Sequence, residues 1–410
     1  MSGDWSENFA SRTKRMEASA IRELLKVVAR PDIISFAGGI PANEALPSRE
    51  VAEACERIFT YNPTQALQYG PTEGYEPLRE WIAATYRARG VPASVDNVLI
   101  TTGSQQGLDL IGLTLIDEGD KVVTETPTYV GALQAWRPYA PSFVGVPMDE
   151  DGIEVDQLAR VSKIKLTYLL PNFQNPSGRT LALERRQQAV ELAHGNQFLI
   201  VEDDPYRELR YSGEHLPSLV EIEAAMLGSN WDAQGKVIHL GSFSKVLAPG
   251  LRIGWMLAPS AAIRMAVLAK QGIDLHTSTL SMLIAEDLLQ HKVVERQIPI
   301  LRDLYRERRD AMLGALAKNV GERAHWTQPD GGLFLWLTLP GETDTPAMLV
   351  KALEKKVAFV PGDAFYADHR GKDSLRLNFS VCPPDRIREG IARLGALIAE
   401  RQEQEPFKVV

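Results

Sequence analysis

The chain reads as an α/β protein: a large domain with a mainly parallel sheet covered by helices, joined to a smaller α+β domain. Three observations predict this. From about residue 98 to 257, short apolar runs bounded by turns alternate with amphipathic stretches, the pattern of buried parallel strands crossed by helices. After about residue 295 a long charged helix leads into strand-like runs without that alternation. The chain has 410 residues, 44% of them hydrophobic, enough for more than one compact unit. The expected division is an N-terminal arm with part of the small domain at 1–48, the large domain at 49–295 and the small C-terminal domain at 296–410.

Residues 1–18 form a polar arm. Ile21, Leu24, Leu25 and Val28 fall on one helical face of Ser19–Val28. Ile33–Phe36 is a short strand stopped by Gly38, Gly39 and Pro41, and Pro47–Phe59 is a helix with Pro and Ser near its start. The alternation then runs through strands at Val98–Thr101, Lys121–Thr124, Phe143–Val146, Leu166–Leu170, Phe198–Val201, Val237–Leu240 and Ile253–Leu257. Helices fall at Ser104–Leu115, Tyr129–Pro138 and Leu183–His194. In the last third, a helix at Leu301–Leu316 precedes strands at Gly331–Leu337, Val357–Val360 and Ser374–Phe379, and Asp385–Glu400 is a final helix.

Bulk properties exclude several function classes. The net charge of −8 is the wrong sign for a nucleic-acid footprint. No run of about 18 apolar residues suits a membrane span. The polar start carries no apolar signal core, so the expected location is the cytoplasm. Cys55 and Cys382 lie far apart in no metal-like spacing and read as ordinary thiols in a reducing compartment; no metal site is expected.

The chemistry concentrates at strand ends, where open α/β sheets bind ligands. Gly241–Trp255 sets Lys245 between Ser242, Ser244 and, seven positions on, Arg252. A Schiff-base amine needs a lowered pKa and a nearby cation, and a phosphate needs hydroxyls and a guanidinium fork. Thr101–Gln106 follows a strand and opens a helix, a ready anion site with Ser104 and Gln105 at its start. Tyr129, after Pro127, is placed to stack on a planar ring, and Asn175 is held in a Pro-bounded loop at 171–178. Glu202, Asp203 and Asp204 end one strand. A buried acid there needs a cationic partner such as a pyridinium nitrogen, which suits Asp203, whereas Glu202 and Asp204 read as a solvated turn. Arg137, Arg179 and Arg207 read as surface charges, and His276 as a structural histidine.

Gly103–Gln106, Asn175–Gly178, Asp203 with Tyr206, Ser242–Lys245 and Arg252–Gly254, in that order and spacing, resemble the fold-type I pyridoxal-phosphate aminotransferases of classes I and II. The resemblance runs from about residue 17 to 400. Ser19–Leu25, Ser35–Pro41 and Leu67–Gly74 are most similar to the 2-aminoadipate and kynurenine aminotransferase group. The resemblance implies that Lys245 bonds the cofactor aldehyde and later shuttles the proton. It implies that Asp203 pairs with the pyridine nitrogen, that Tyr206 and Asn175 bond the ring's phenolic oxygen, and that Tyr129 stacks on the ring. Ser104, Gln105, Ser242, Ser244 and Arg252 are implied to bind the phosphate. Tyr69 is implied to reach the phosphate of a neighbouring subunit, hence a homodimer with shared sites. Arg376 is implied to grip the substrate α-carboxylate with the Gly39 backbone close by. Arg22, supported by Ser19, is the candidate for a distal carboxylate, with Ile40 and Leu46 as apolar neighbours.

The expected activity is therefore ping-pong transfer of the amino group of an L-amino acid to 2-oxoglutarate, with 2-aminoadipate leading and leucine or aromatic acids beside it. A branched-chain, aromatic or alanine-type aminotransferase is the alternative. More remote are a pyridoxal-phosphate lyase or decarboxylase, which would use the same lysine and aspartate, and an aminotransferase-like regulator, against which stand the short, non-basic N-terminal arm and the acidic charge.

Overall fold

The computed structural model describes residues 5–18, 24, 30 and 32–404. Most of the helix expected at Ser19–Val28 lies outside them, and so do Arg22 and Ser19. The strands in chain order are β1 (Ile34–Ser35), β2 (Val98–Thr101), β3 (Lys121–Thr126), β4 (Ser142–Asp149), β5 (Gly152–Ile153), β6 (Ile164–Leu169), β7 (Leu199–Asp203), β8 (Val237–Ser242) and β9 (Gly254–Leu257). After them come β10 (His325–Trp326), β11 (Phe334–Thr338), β12 (Val357–Ala358), β13 (Val360–Pro361) and β14 (Ser374–Asn378).

β2 to β9 form one eight-stranded sheet in the order β2-β9-β8-β7-β6-β3-β4-β5. Neighbours from β8 through β4 are parallel, whereas β9 runs antiparallel to both β8 and β2. Alternate side chains feed opposite faces, as strand geometry requires. Leu99, Val201 and Leu240 join a core with Leu108, Trp136 and Ile263, while Ile100, Ile200 and Val237 join another with Ile82, Val190 and Trp231. Both faces are covered, by helices such as Ser104–Leu115 and Ser260–Ile273 on one side and Glu76–Arg87 and Leu183–Asn196 on the other.

The strands after residue 320 form a four-stranded antiparallel sheet, β10-β11-β14-β13, with Trp336 opposite Arg376 and Arg376 opposite Val360. β1 pairs in parallel with β12, tying the segment near residue 34 to the C-terminal part of the chain. The single strand expected at Val357–Val360 is in fact two. The first half pairs with β1 and the second with β14, and the chain changes sheets at the buried Phe359. The long charged helix begins earlier than expected and spans Val293–Asn319, packed on the final helix Pro384–Gln404.

Candidate active site

Because β2, β3, β6, β7 and β8 point the same way, their C-terminal ends share one edge of the sheet. Antiparallel β9 brings its N-terminal end, with Arg252, to that same edge. The loops leaving this edge line a cavity of about 750 Å³. Gly39, Ser104, Gln105, Tyr129, Asn175, Asp203, Tyr206, Ser242, Ser244, Lys245, Arg252 and Arg376 all border it. Twelve of the fourteen residues singled out from sequence thus meet in one place. Tyr69 does not. It is 79% exposed and sits edge-on to His276, 5.7 Å between ring centres, beside a separate hollow. Arg22 lies outside the described residues. Ile40, half exposed, and Leu46 do not border the cavity.

Lys245 lies just past β8 and its Nζ donates to the Gly39 carbonyl at 2.9 Å. Burial, then the cations Arg252 and Arg376, lower its pKa to about 8, against the opposing pull of Asp203. Asp203 is the last residue of β7 and is buried. Its Oδ2 accepts from the Tyr168 hydroxyl at 2.7 Å, whereas its Oδ1 is buried with no hydrogen-bond partner. Burial raises its pKa to about 6, and the Tyr168 hydrogen bond opposes the rise. Tyr168 was read from sequence only as part of an apolar strand. Its signal was a polar-tipped aromatic ring two residues before the end of a buried run, where a hydroxyl needs a partner.

Arg376, in β14, is buried and held on every side. Its Nη1 donates to Asn175 Oδ1 and its Nη2 to the Ala37 carbonyl, both at 2.8 Å, while Nε has no partner. The guanidinium stacks 4.2 Å from the Phe334 ring centre and 5.0 Å from that of Phe365, two aromatic neighbours that the sequence reading missed. Burial lowers its pKa to about 10, still far above neutral pH. Tyr206 is buried edge-on to Phe334, and burial pushes its phenol up.

At the other end of the cavity, Ser242 Oγ donates to Ser244 Oγ at 2.9 Å, and Gln105 Nε2 donates to the Gly131 carbonyl at 3.0 Å. Gly103 precedes the helix Ser104–Leu115 with φ 73°, and a side chain there would collide with the Arg252 guanidinium. Gly254 allows an equally close approach from the far side: a Cβ on it would lie 2.7 Å from Ser104 N.

Five residues expected at the surface are corrected. Glu202 is buried, accepting from the Leu219 and Val220 amides at 2.7 and 3.1 Å and facing His239 Nδ1 at 2.9 Å. The amides that open the helix Leu219–Leu227 give that acid a partner no local pattern reveals. Asp204 is buried on the Asn172 amide at 2.9 Å. Arg137 and Arg207 have side chains only 17% and 14% exposed, Arg207 pairing with Glu221 at 2.9 Å. Arg179 is half-buried and donates to the Met148 carbonyl at 3.1 Å.

The arrangement has the parts for holding an anionic aromatic aldehyde. There is a partly neutral amine, a buried carboxylate with one free oxygen, and a hydroxyl- and guanidinium-lined end at a helix N-terminus. Comparison with known proteins agrees. The sequence pattern of the family "Aminotransferase class I and II" matches residues 31–394. The chain belongs to this family and is an aminotransferase. It is 44% identical to the aromatic-amino-acid aminotransferase 1 of Thermococcus litoralis, over 98% of this chain and 96% of that one. It is also 44% identical to the 2-aminoadipate transaminase of Thermus thermophilus, over 95% and 96%. The solved structure of LysN, an α-aminoadipate aminotransferase from T. thermophilus complexed with N-(5'-phosphopyridoxyl)-L-leucine, superposes with a TM-score of 0.90 at 41% identity, covering 98% of this chain and 100% of that one. The fold is the doubly covered α/β fold of these aminotransferases, and the family cofactor, pyridoxal 5'-phosphate, fits the residues of the cavity. Among the described residues, no helix is long and apolar enough to cross a membrane.

Proposed function

We propose that this aminotransferase moves the amino group of an L-amino acid to 2-oxoglutarate in two half-reactions through one cavity. The observation that carries the reading is that Lys245, the unpaired Oδ1 of Asp203 and the clamped Arg376 border the same space. Bound there, pyridoxal 5'-phosphate supplies an aldehyde for the amine and a ring that withdraws electrons while its nitrogen is protonated.

The protein's own groups do the rest. Asp203 Oδ1 would accept from the ring nitrogen and hold the proton there, its Oδ2 being already taken by Tyr168. Asn175 spends its oxygen on Arg376 and its side chain also bonds Tyr206, so the two residues together would meet the phenolic oxygen of the ring. Tyr129, which lines the cavity, would cover the ring face. Ser104, Gln105, Ser242, Ser244 and Arg252 take the phosphate. Arg376 grips the α-carboxylate with two parallel hydrogen bonds and so sets the direction of the Cα–H bond, near the Gly39 backbone. Burial and the nearby cations lower the pKa of Lys245 to about 8, which favours the neutral amine that would accept that proton and return it.

We infer 2-aminoadipate as the leading donor, with aromatic acids and leucine beside it. The similarity to the aromatic-amino-acid and 2-aminoadipate enzymes supports this. Arg22 is proposed for the distal carboxylate; if Arg22→Ala lowers activity on dicarboxylic and apolar donors equally, that assignment fails. We further propose a homodimer in which Tyr69 serves the partner's phosphate, supported by its exposure together with that of Tyr61 and Leu67.

The function is tested by the half-reaction. Amino acid alone should bleach the yellow holoenzyme, 2-oxoglutarate should restore it, and borohydride should fix the cofactor to Lys245. Release of carbon dioxide or cleavage of the donor, without restoration by 2-oxoglutarate, would favour the lyase or decarboxylase reading instead.

A further inference from the structure

Behind the phosphate end of the cavity lies a lysine that does not border it. Lys270, in the last turn of the helix Ser260–Ile273, has a side chain with 0% exposure. Its ammonium has three close partners: Gln106 Oε1 at 2.7 Å and both oxygens of Asp274 at 2.8 and 2.9 Å. Asp274 Oδ2 also accepts from Gln106 Nε2 at 2.7 Å and from Thr102 Oγ1 at 3.2 Å. Every polar group of Thr102 is tied. Its N–H donates to Gln106 Oε1 at 2.8 Å, its hydroxyl meets Asp274 and Thr277, and its carbonyl accepts from Arg252 Nη2 at 3.2 Å.

The pair is weak support for global stability, because Lys270 gives up its hydration while Asp274 stays exposed, where water screens the attraction. What this pair does have is position. It bolts down Thr102 and Gln106, the residues on either side of Gly103, Ser104 and Gln105, and through Thr102 it reaches the Arg252 fork. A phosphate held by amides at a helix start, a hydroxyl and a guanidinium is bound well only when those donors are fixed before it arrives.

We propose that Lys270 and Asp274 are positioning residues for the cofactor phosphate, acting through Thr102, Gln106 and Arg252. This rests on the assignment of the phosphate to that end of the cavity. The test measures dissociation constants of the apoprotein for pyridoxal 5'-phosphate and for pyridoxal, which lacks the phosphate. If the wild type shows no preference for the phosphorylated form, the phosphate assignment itself fails. Given that preference, Lys270→Met/Asp274→Asn, which removes both charges together, should cut it tenfold or more and leave pyridoxal affinity within about twofold. Thr102→Val, which keeps the pair and removes the linking hydroxyl, should cut it severalfold and supplies the answer should the double variant not fold. Variants that retain the wild-type preference, or that lose affinity for both ligands equally, overturn the proposal.

Discussion

Removing one oxygen atom, in Tyr168→Phe, asks whether the hydroxyl behind Asp203 keeps that acid ionised. The hydroxyl donates to Oδ2 at 2.7 Å in a fully buried setting, and a hydrogen bond to a charged group contributes about 1.5–3 kcal/mol. At about 1.36 kcal/mol per unit, its loss raises the carboxyl pKa by roughly one to two units. From about 6, the acid would move to about 7–8. The sign follows from which form is favoured: the O–H donates to the carboxylate, so its removal favours the protonated acid. Pyridoxamine 5'-phosphate is the suitable probe, because in the proposed site it would pair its ring nitrogen with Asp203 without bonding Lys245. Its dissociation constant from the apoprotein is measured by fluorescence between pH 5.5 and 9. Taking the ratio of variant to wild type at each pH cancels the ligand's own titration. That ratio should be near one at pH 9 and rise to between about tenfold and nearly a hundredfold at pH 5.5. A ratio that stays flat with pH, whatever its size, would mean that Tyr168 only packs against Trp136, and the electrostatic argument would be wrong.

Two further outcomes follow from buried charge. Glu125 is buried on the Leu170 amide and the Gln174 side chain, and burial raises its pKa to about 8. A raised folded-state pKa means stability present below the unfolded value near 4.5 and lost as pH rises through 8. Glu125→Gln should therefore raise the melting temperature at pH 8.5 by the equivalent of about 1–3 kcal/mol and change it little at pH 4.5, and thermal scans at the two pH values check this. Arg376→Met removes the two hydrogen bonds proposed for the substrate carboxylate and should lower kcat/KM about a hundredfold or more for every amino donor alike, read by steady-state kinetics across a donor panel.

Local sequence determined which chemistries were available and in what order. The apolar runs ending in Thr101, Thr124, Leu170, Val201 and Leu240 could be read as strands, because strands covered on both faces need almost no polar residues. The polar residues just after them could be read as ligands, because strand ends of one parallel sheet share an edge. Tertiary structure decided what depended on partners far along the chain. Glu202 and Asp204 looked solvated because the groups that satisfy them, the Leu219 amide and Asn172, lie 17 and 32 residues away. Asp203 was given only a cofactor partner because Tyr168 sits 35 residues earlier on the neighbouring strand. The run at Val357–Val360 looked like one strand because periodicity cannot tell which sheet each half will join. Arg376 was recognised by its motif, yet its stacking between Phe334 and Phe365, its grip on Asn175 and the Lys270–Asp274 bolt behind the helix start arise only when separate segments pack. Hydrogen bonds and ring contacts are set by distance in space, and spacing along a chain records that distance only within one helix or strand.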